Sequence, residues 1–231
     1  MSINKNIIYG FFIALLMVSY NVHAMLKNEI TESKKSWNFI AYLDDLEIGY
    51  HNFEVNISDT ETTVLSHAEF DVSFMFIPIF KYEHSNQEVW NNGCLIKLNS
   101  STINDGEELF VKLSNINGLT HIETANNKLS KSDCVRSFAY WDAELIKSKV
   151  LLNTQTGELI DVTYKFVGPE KILINKESID TQRYQLLGKD EVGNDIDISL
   201  WYNNNDQWVA LESRLENGRF LRYQLKQEIR Q

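Results

Sequence analysis

Residues 63–84 read TVLSHAEFDVSFMFIPIFKYEH, and the alternation within them decides the fold class. Ala68, Phe70, Val72, Phe74, Phe76, Phe80 and Tyr82 share one parity, while His67, Glu69, Asp71 and Ser73 fill the other. A period of two is the mark of a strand with one face buried. The polar parity turns apolar at Met75, Ile77 and Ile79, so something is expected to cover that face over its second half. A straight strand of 22 residues would reach about 70 Å at ~3.3 Å per residue. That is too long for a domain of this size. Pro78 cannot donate a ladder hydrogen bond and marks the expected bend or break. Strong sheet curvature follows.

Working outward, the same period recurs on both sides. Trp37, Phe39, Ala41 and Leu43 alternate, Asp44-Asp45 signals a turn, and Phe53, Val55 and Ile57 resume on one face of Ile48–Ile57. Further strands are predicted at 93–98, 108–113, 120–124, 159–167, 183–187, 195–202, 207–215 and 219–225. Asn104-Asp105-Gly106, Asn117-Gly118, Asn203-Asn204-Asn205-Asp206 and Glu216-Asn217-Gly218 separate them, and the Asn-Gly pairs suit tight hairpins. Short hairpin-linked strands imply an antiparallel sheet, not βαβ units. Between Asp133 and Asn153, Val135, Phe138, Ala139, Leu145 and Ile146 fall at helical spacing. One or two helical turns, or a single helix, started by Ser130 or Asp133, are expected there. The predicted fold is mainly β: a strongly curved antiparallel sheet, or half-barrel, with a short helical segment packed at one end.

The chain has 231 residues, 22 basic and 32 acidic, for a formal charge of −10. That balance argues against a nucleic-acid partner, which needs a basic face. Aromatic residues make up 12%, enough for a real core. The first 24 residues read as an export signal. Lys5 precedes the uncharged apolar run Ile7–Tyr20, and Val22-His23-Ala24 offers a cleavage site. The run falls short of the ~20 residues that span a bilayer, so a retained signal anchor is the lesser alternative. No later segment is long and apolar enough to cross a membrane as a helix. The expectation is a periplasmic or secreted protein, with one β-rich domain over 25–231. In an oxidising compartment Cys94 and Cys134 have one intramolecular pairing available, and neither has the neighbours of a zinc site. A disulfide is predicted, with two buried free thiols as the alternative.

Chemistry is sparsely signalled. His67, Glu69 and Asp71 project from one strand face, a set that could pair a His with a carboxylate for hydrolase or isomerase chemistry or simply form a solvated face. His51, His84 and His121 are scattered and read as structural or exposed. No phosphate loop, nucleophile elbow or zinc-protease motif occurs, so no catalytic residue, metal or cofactor is assigned. The aromatics cluster at 70–90, 138–141 and 201–208. They fill a core, or they line a concave surface for a lipid or other apolar ligand, in which case Phe74, Phe76, Phe80, Trp90, Tyr140, Trp141 and Trp201 would hold it.

The segments LDDLEIGYHNFEV (43–55), AEFDVSFMFIPIFKYEH (68–84), EVWNNGCLIKL (88–98), FAYWDAEL (138–145), LLNTQTGEL (151–159) and LWYNNNDQWVALES (200–213) together resemble a secreted bacterial family, DUF6134, a domain of unknown function. Its first turn carries a Gly where this chain has Asp44-Asp45-Leu46-Glu47. More distantly, LWYNNNDQWVALES followed by ENGRFLRYQL is similar to the closing strands of periplasmic carriers of the lipoprotein-localisation type. That resemblance implies a curved, incomplete barrel with helices on its concave side. It transfers no catalytic residue. The expected function is therefore non-enzymatic carriage of an apolar ligand. A secreted hydrolase or isomerase, or an envelope protein that makes contact through a sheet edge, is the alternative.

Overall fold

Turn chemistry sets the hairpins. Asn92-Gly93, Asp105-Gly106 and Asn117-Gly118 all have positive φ at both residues, the backbone that matches the twist of paired strands. The computed structural model describes residues 32–74 and 77–226. The first strands are β1 (Ser33–Leu43), β2 (Leu46–Ile57), β3 (Thr62–Phe74), β4 (Ile77–Asn91) and β5 (Cys94–Asn104). Next come β6 (Glu107–Ile116), β7 (Leu119–Glu123), β8 (Lys128–Lys131), β9 (Val150–Leu152) and β10 (Leu159–Ile174). The last are β11 (Glu177–Lys189), β12 (Asp195–Asn203), β13 (Trp208–Arg214) and β14 (Phe220–Leu225). They form one antiparallel sheet ordered β8-β7-β6-β5-β4-β3-β2-β1-β14-β13-β12-β11-β10-β9. Each strand neighbours its sequence neighbour except at one place: β8 and β9 stand at opposite ends, while β1 and β14 pair in the middle.

The sheet is neither closed nor strongly curled, which corrects the half-barrel expectation. The reason lies in the run that suggested curvature. Residues 63–84 are not one bent strand but most of a hairpin, with Ala68 opposite His84 and Val72 opposite Phe80. Strands of 13 and 15 residues need no bend to fit. The break falls before Pro78, which pairs with Ser73 inside β4. Met75-Phe76 carries no turn signal, so alternation alone could not locate it. The end strands are also short, four and three residues, and β8 carries Lys128 and Lys131. Such ends are poor templates for strand addition, but β9 pairs with only Leu159–Asp161, and the rest of β10 pairs with β11 alone.

Of the helical segment expected between Asp133 and Asn153, one turn is present and a longer helix is not. Residues 132–158 run mainly without regular structure, with a single 3₁₀ turn at Ala143–Lys147, started by the Asp142 carboxylate accepting from the Glu144 N–H. Val135, Ser137 and Ala139 are buried in alternation, an extended pattern that overrides the helical spacing. Long-range hydrogen bonds replace helical ones: Leu95 N–H donates to the Val135 carbonyl, and Leu152 N–H to that of Arg136. The segment covers one sheet face, on which Trp37, Phe39, Trp208 and Tyr202 are among the largest fully buried side chains. Trp37 Nε1 donates to the Trp208 carbonyl at 2.9 Å, and the Phe39 and Trp208 rings lie 4.3 Å apart.

The predicted disulfide is present. Cys94 and Cys134 are bonded, 40 residues apart in sequence, and tie the covering segment to the start of β5. On a chain-entropy model such a loop is worth about 4 kcal/mol. Replacing both cysteines by Ala is expected to lower the melting temperature measured by calorimetry, with amide exchange rising first across 132–142.

One glycine is fixed by close approach. Gly49 sits at φ +149°, and a Cβ there would lie 1.9 Å from the Glu69 carbonyl oxygen. The β1–β2 register shifts beside it, between Ala41 and Tyr42. Gly49→Ala is expected to cost about 3 kcal/mol or more in urea unfolding, since the obstacle is backbone of the adjacent strand.

Candidate functional site

Strand β4 places Tyr82, His84, Asn86, Glu88 and Trp90 on the covered face. Opposite the middle pair β3 offers small groups, Ala68 beside His84 and Ser66 beside Asn86. Ser100 and Thr102 of β5 stand on the other side. Small side chains against larger polar ones leave space, and a cavity of about 800 Å³ lies there. Its lining includes His51, Ser66, Tyr82, His84, Asn86 and Glu88 from the sheet. The covering segment adds Ser137, Phe138, Tyr140, Trp141 and Thr154.

The polar groups form a network. Glu88 accepts from Asn86 Nδ2 at 2.8 Å, Trp90 Nε1 at 2.7 Å and Ser137 Oγ at 2.9 Å. Ser137 belongs to the covering segment, so this buried carboxyl anchors it to the sheet. Burial pushes the Glu88 carboxyl up, and the three donors oppose that rise. His84 Nδ1 lies 2.9 Å from Thr102 Oγ1, and its Nε2 lies 3.4 Å from Thr154 Oγ1. Burial, with a smaller contribution from His67, lowers His84 to about 4. His51 is lowered well below its usual value by burial and then by the two neighbouring imidazoles. Its Nδ1 lies 3.2 Å from Tyr223 Oη. Among the described residues, His51 Nε2 and Asn86 Oδ1 are buried without a hydrogen-bond partner.

The residues assigned to an apolar ligand divide: Trp90 and Trp201 do not line this cavity, whereas Phe80, Tyr140 and Trp141 do. Trp90 is 3% exposed and packs edge-on against Trp141. Tyr140 packs on Trp208, and its carbonyl accepts from Tyr202 Oη. Trp201 stacks under Arg183 and donates to Glu170, away from this cavity. Phe80, Tyr140 and Trp141 contribute to its lining. Phe76 lies outside the described residues, and of Phe74 only the backbone is described. There is no half-barrel pocket for an apolar ligand: the aromatics are largely spent on one another, and buried polar groups form the cavity floor. The apolar-carrier reading is thereby overturned.

His67, Glu69 and Asp71 lie on the opposite face of β3. There His67 Nδ1 lies 3.0 Å from Ser85 Oγ, Glu69 accepts from Tyr50, and Asp71 accepts from Ser73 and faces Lys81. None of the three lines the cavity. Among the described residues no group of three or more His, Cys, Asp or Glu is placed to hold a metal ion, and no catalytic cluster is evident, so the hydrolase or isomerase reading falls as well. No described helix is long and apolar enough to cross a membrane. The residues that sequence reasoning missed are His51, Asn86 and Glu88. Their signal was the polar parity His84-Asn86-Glu88 continuing the apolar parity of Phe80-Tyr82 into a buried strand.

The model of one family, a domain of unknown function (DUF6134), matches residues 39–226. The chain belongs to this family. A comparison with curated proteins found no match. Among solved structures, a beta-barrel-like protein of the DUF1849 domain of unknown function from Brucella abortus aligns with a TM-score of 0.63 at 13% identity. That alignment covers 83% of this chain and 95% of the other. A candidate lipoprotein from Parabacteroides distasonis aligns with a TM-score of 0.32 at 12% identity, covering 86% and 95%. The first likeness is one of fold alone, and neither gives strong support to a link with lipoprotein-localisation carriers.

The two titratable groups on β4 pull stability in opposite directions. Unfolded His84 regains its proton near pH 6.5, and folded His84 only near 4. The unfolded chain therefore binds more protons between those values, and stability falls as pH drops from 6.5 to 4, by roughly 3 kcal/mol. Glu88, raised by burial, is relieved of its charge over part of the same range and offsets some of that loss. Urea unfolding at a series of pH values is expected to show a steeper acid loss in Glu88→Gln than in the unaltered chain, and a flatter one in His84→Asn. Identical profiles in all three would contradict the assignment.

Proposed function

We propose that this DUF6134 member is an exported, non-enzymatic binding protein for a small polar molecule, held between β3–β4 and the covering segment 132–158. The observation that carries this reading is a cavity of about 800 Å³ whose lining sets Ser66, His84, Asn86, Ser137 and Thr154 among aromatic side chains. A lining with several hydrogen-bonding side chains suits a ligand that itself supplies hydrogen bonds. The cavity volume is within the ~300–1,000 Å³ typical of small-molecule sites. Export is supported by the leader-like residues 1–24, which lie outside the described residues, and by the formed disulfide, which suits an oxidising compartment. The working unit in this reading is the mature chain 25–231.

Thermal unfolding in the presence of a panel of small polar metabolites tests the proposal. At least one compound is expected to raise the melting temperature with the logarithm of its concentration, reaching about 2.7 kcal/mol of stabilisation at a hundredfold excess over Kd. Ser66 lines the cavity and is 8% exposed. Ser66→Leu should fill the space and abolish the shift while the variant still unfolds cooperatively. No shift with any compound, or an equal shift in Ser66→Leu, would overturn the reading.

A further inference from the structure

We propose that the cavity takes a small organic cation, an ammonium or guanidinium compound, which enters past a carboxylate-rich mouth and lodges its body against the aromatic walls. This rests on the binding reading above and adds the charge class of the ligand.

Charge is segregated around the molecule. At one end the cavity is lined by Asp190, Asp195 and Glu216 against a single base, Arg214. The same rim bounds a second recess of about 1140 Å³, whose lining adds Asp161, Glu191 and Asp197 and one further base, Lys189. Six carboxyl groups therefore stand against two bases. All six are half-buried or exposed, so an entering molecule can reach them. Lys189 is bonded to Asp195 and compensates that one. Asp190 accepts from the Asn194 amide and Asp197 from the Gln185 amide; these partners are neutral and leave the negative charge uncancelled. Glu158 senses the same field: burial raises its carboxyl, and Glu191 and Asp190 raise it further. The overall acidity of the chain does not account for this mouth. The recess beside Cys134, about 350 Å³, is lined by Lys131, Arg136, Lys147 and Lys149 against Asp133 alone.

No positive charge opposes a cation deeper in, because burial holds His51 and His84 neutral. Phe80, Tyr82, Phe138 and Trp141 line the walls and are half-buried, which leaves ring surface open to a ligand. Aromatic faces carry partial negative charge and attract a cation placed over them. A cleft lined by one sign of charge also concentrates ions of the other sign at its entrance. An anion is repelled at the mouth and again at the rings, and a neutral molecule gains from neither. An organic cation gains from both. A metal ion is the poorer fit: among the described residues no group of three or more His, Cys, Asp or Glu is placed to hold one, and it would leave the aromatic walls unfilled.

The test is isothermal titration of the full chain at low salt with choline, putrescine and agmatine, against calcium chloride, glucose and citrate. At least one of the organic cations is expected to bind, while calcium, glucose and citrate do not. The affinity should weaken as sodium chloride is raised, since exposed charges are screened beyond about 10 Å at ~0.1 M salt. Asp195→Asn combined with Glu216→Gln removes two exposed rim charges and should weaken binding about tenfold, with the melting temperature of the free protein little changed. Trp141→Leu should weaken binding by a similar factor and keep the salt dependence. Affinity in both variants equal to that of the unaltered chain would overturn the placement. Binding of calcium, glucose or citrate but of no organic cation would overturn the class and leave the binding reading standing. Silence of all six probes, with stabilisation by neutral or anionic metabolites alone, would do the same. Silence of all six together with no stabilisation by any polar metabolite would overturn both.

Discussion

The pairing of β1 with β14 is the constraint on which everything else rests. Phe39 lies opposite Leu225 and Leu43 opposite Leu221. Without this register, β1 to β8 and β9 to β14 would be two separate hairpin stacks, each with half a core. With it, Phe39 from the first half meets Trp208 and Tyr223 from the second. Arg219 reaches Asp44 at 2.7 Å across the same seam, where the Phe220 N–H and Arg219 hold the Asp44 carboxyl below its usual value. The pair is partly exposed and contributes little by itself; its role is to fix the turn that aligns the seam.

The covering segment depends on that union. Ser137 meets Glu88 in the first half, and the Tyr140 carbonyl meets Tyr202 in the second. A segment that touches both halves can close over a cavity only if the halves are already one sheet. Glu88 then acts as a buried anchor whose loss would leave three donors unpaired, and the disulfide holds the same segment one strand further on. Removing one member of such a network costs more than each bond contributes in water.

Much of this was legible in the residues. Alternation found most of the strands, the Asn-Gly and Asp-Gly pairs found three hairpins, and two cysteines behind a leader-like stretch gave the bridge. What escaped did so for physical reasons. Met75-Phe76 joins β3 to β4 with none of the residues that tolerate turn backbone, so the sequence puts a bend or break at Pro78 and curvature follows from the length of the run. Asn175-Lys176 turns with both φ values positive, and a lysine there gives no warning. Val135, Phe138 and Ala139 are spaced for a helix, yet bonds to β5 and β9 decide their backbone. The candidate site was hidden because His84, Asn86 and Glu88 read as the wet side of a strand; only the segment arriving from 132–158 makes them interior.

The seam between β1 and β14 also bears on how the molecule is made. The strands that meet there are separated by almost the whole described chain, so the central contact of the sheet is the one with the greatest sequence separation. Folds dominated by such contacts form slowly, because loop-closure entropy is lost before the contact returns it. During synthesis β1 emerges first and β14 last, and in the interval β2 covers one side of β1 while its other side stands open. An open edge rich in Trp37, Phe39 and Ile40 is a template for unwanted pairing. The finished sheet conceals this edge at its centre, while its ends carry the four-residue β8 and the three-residue β9, which pairs with only Leu159–Asp161 of β10.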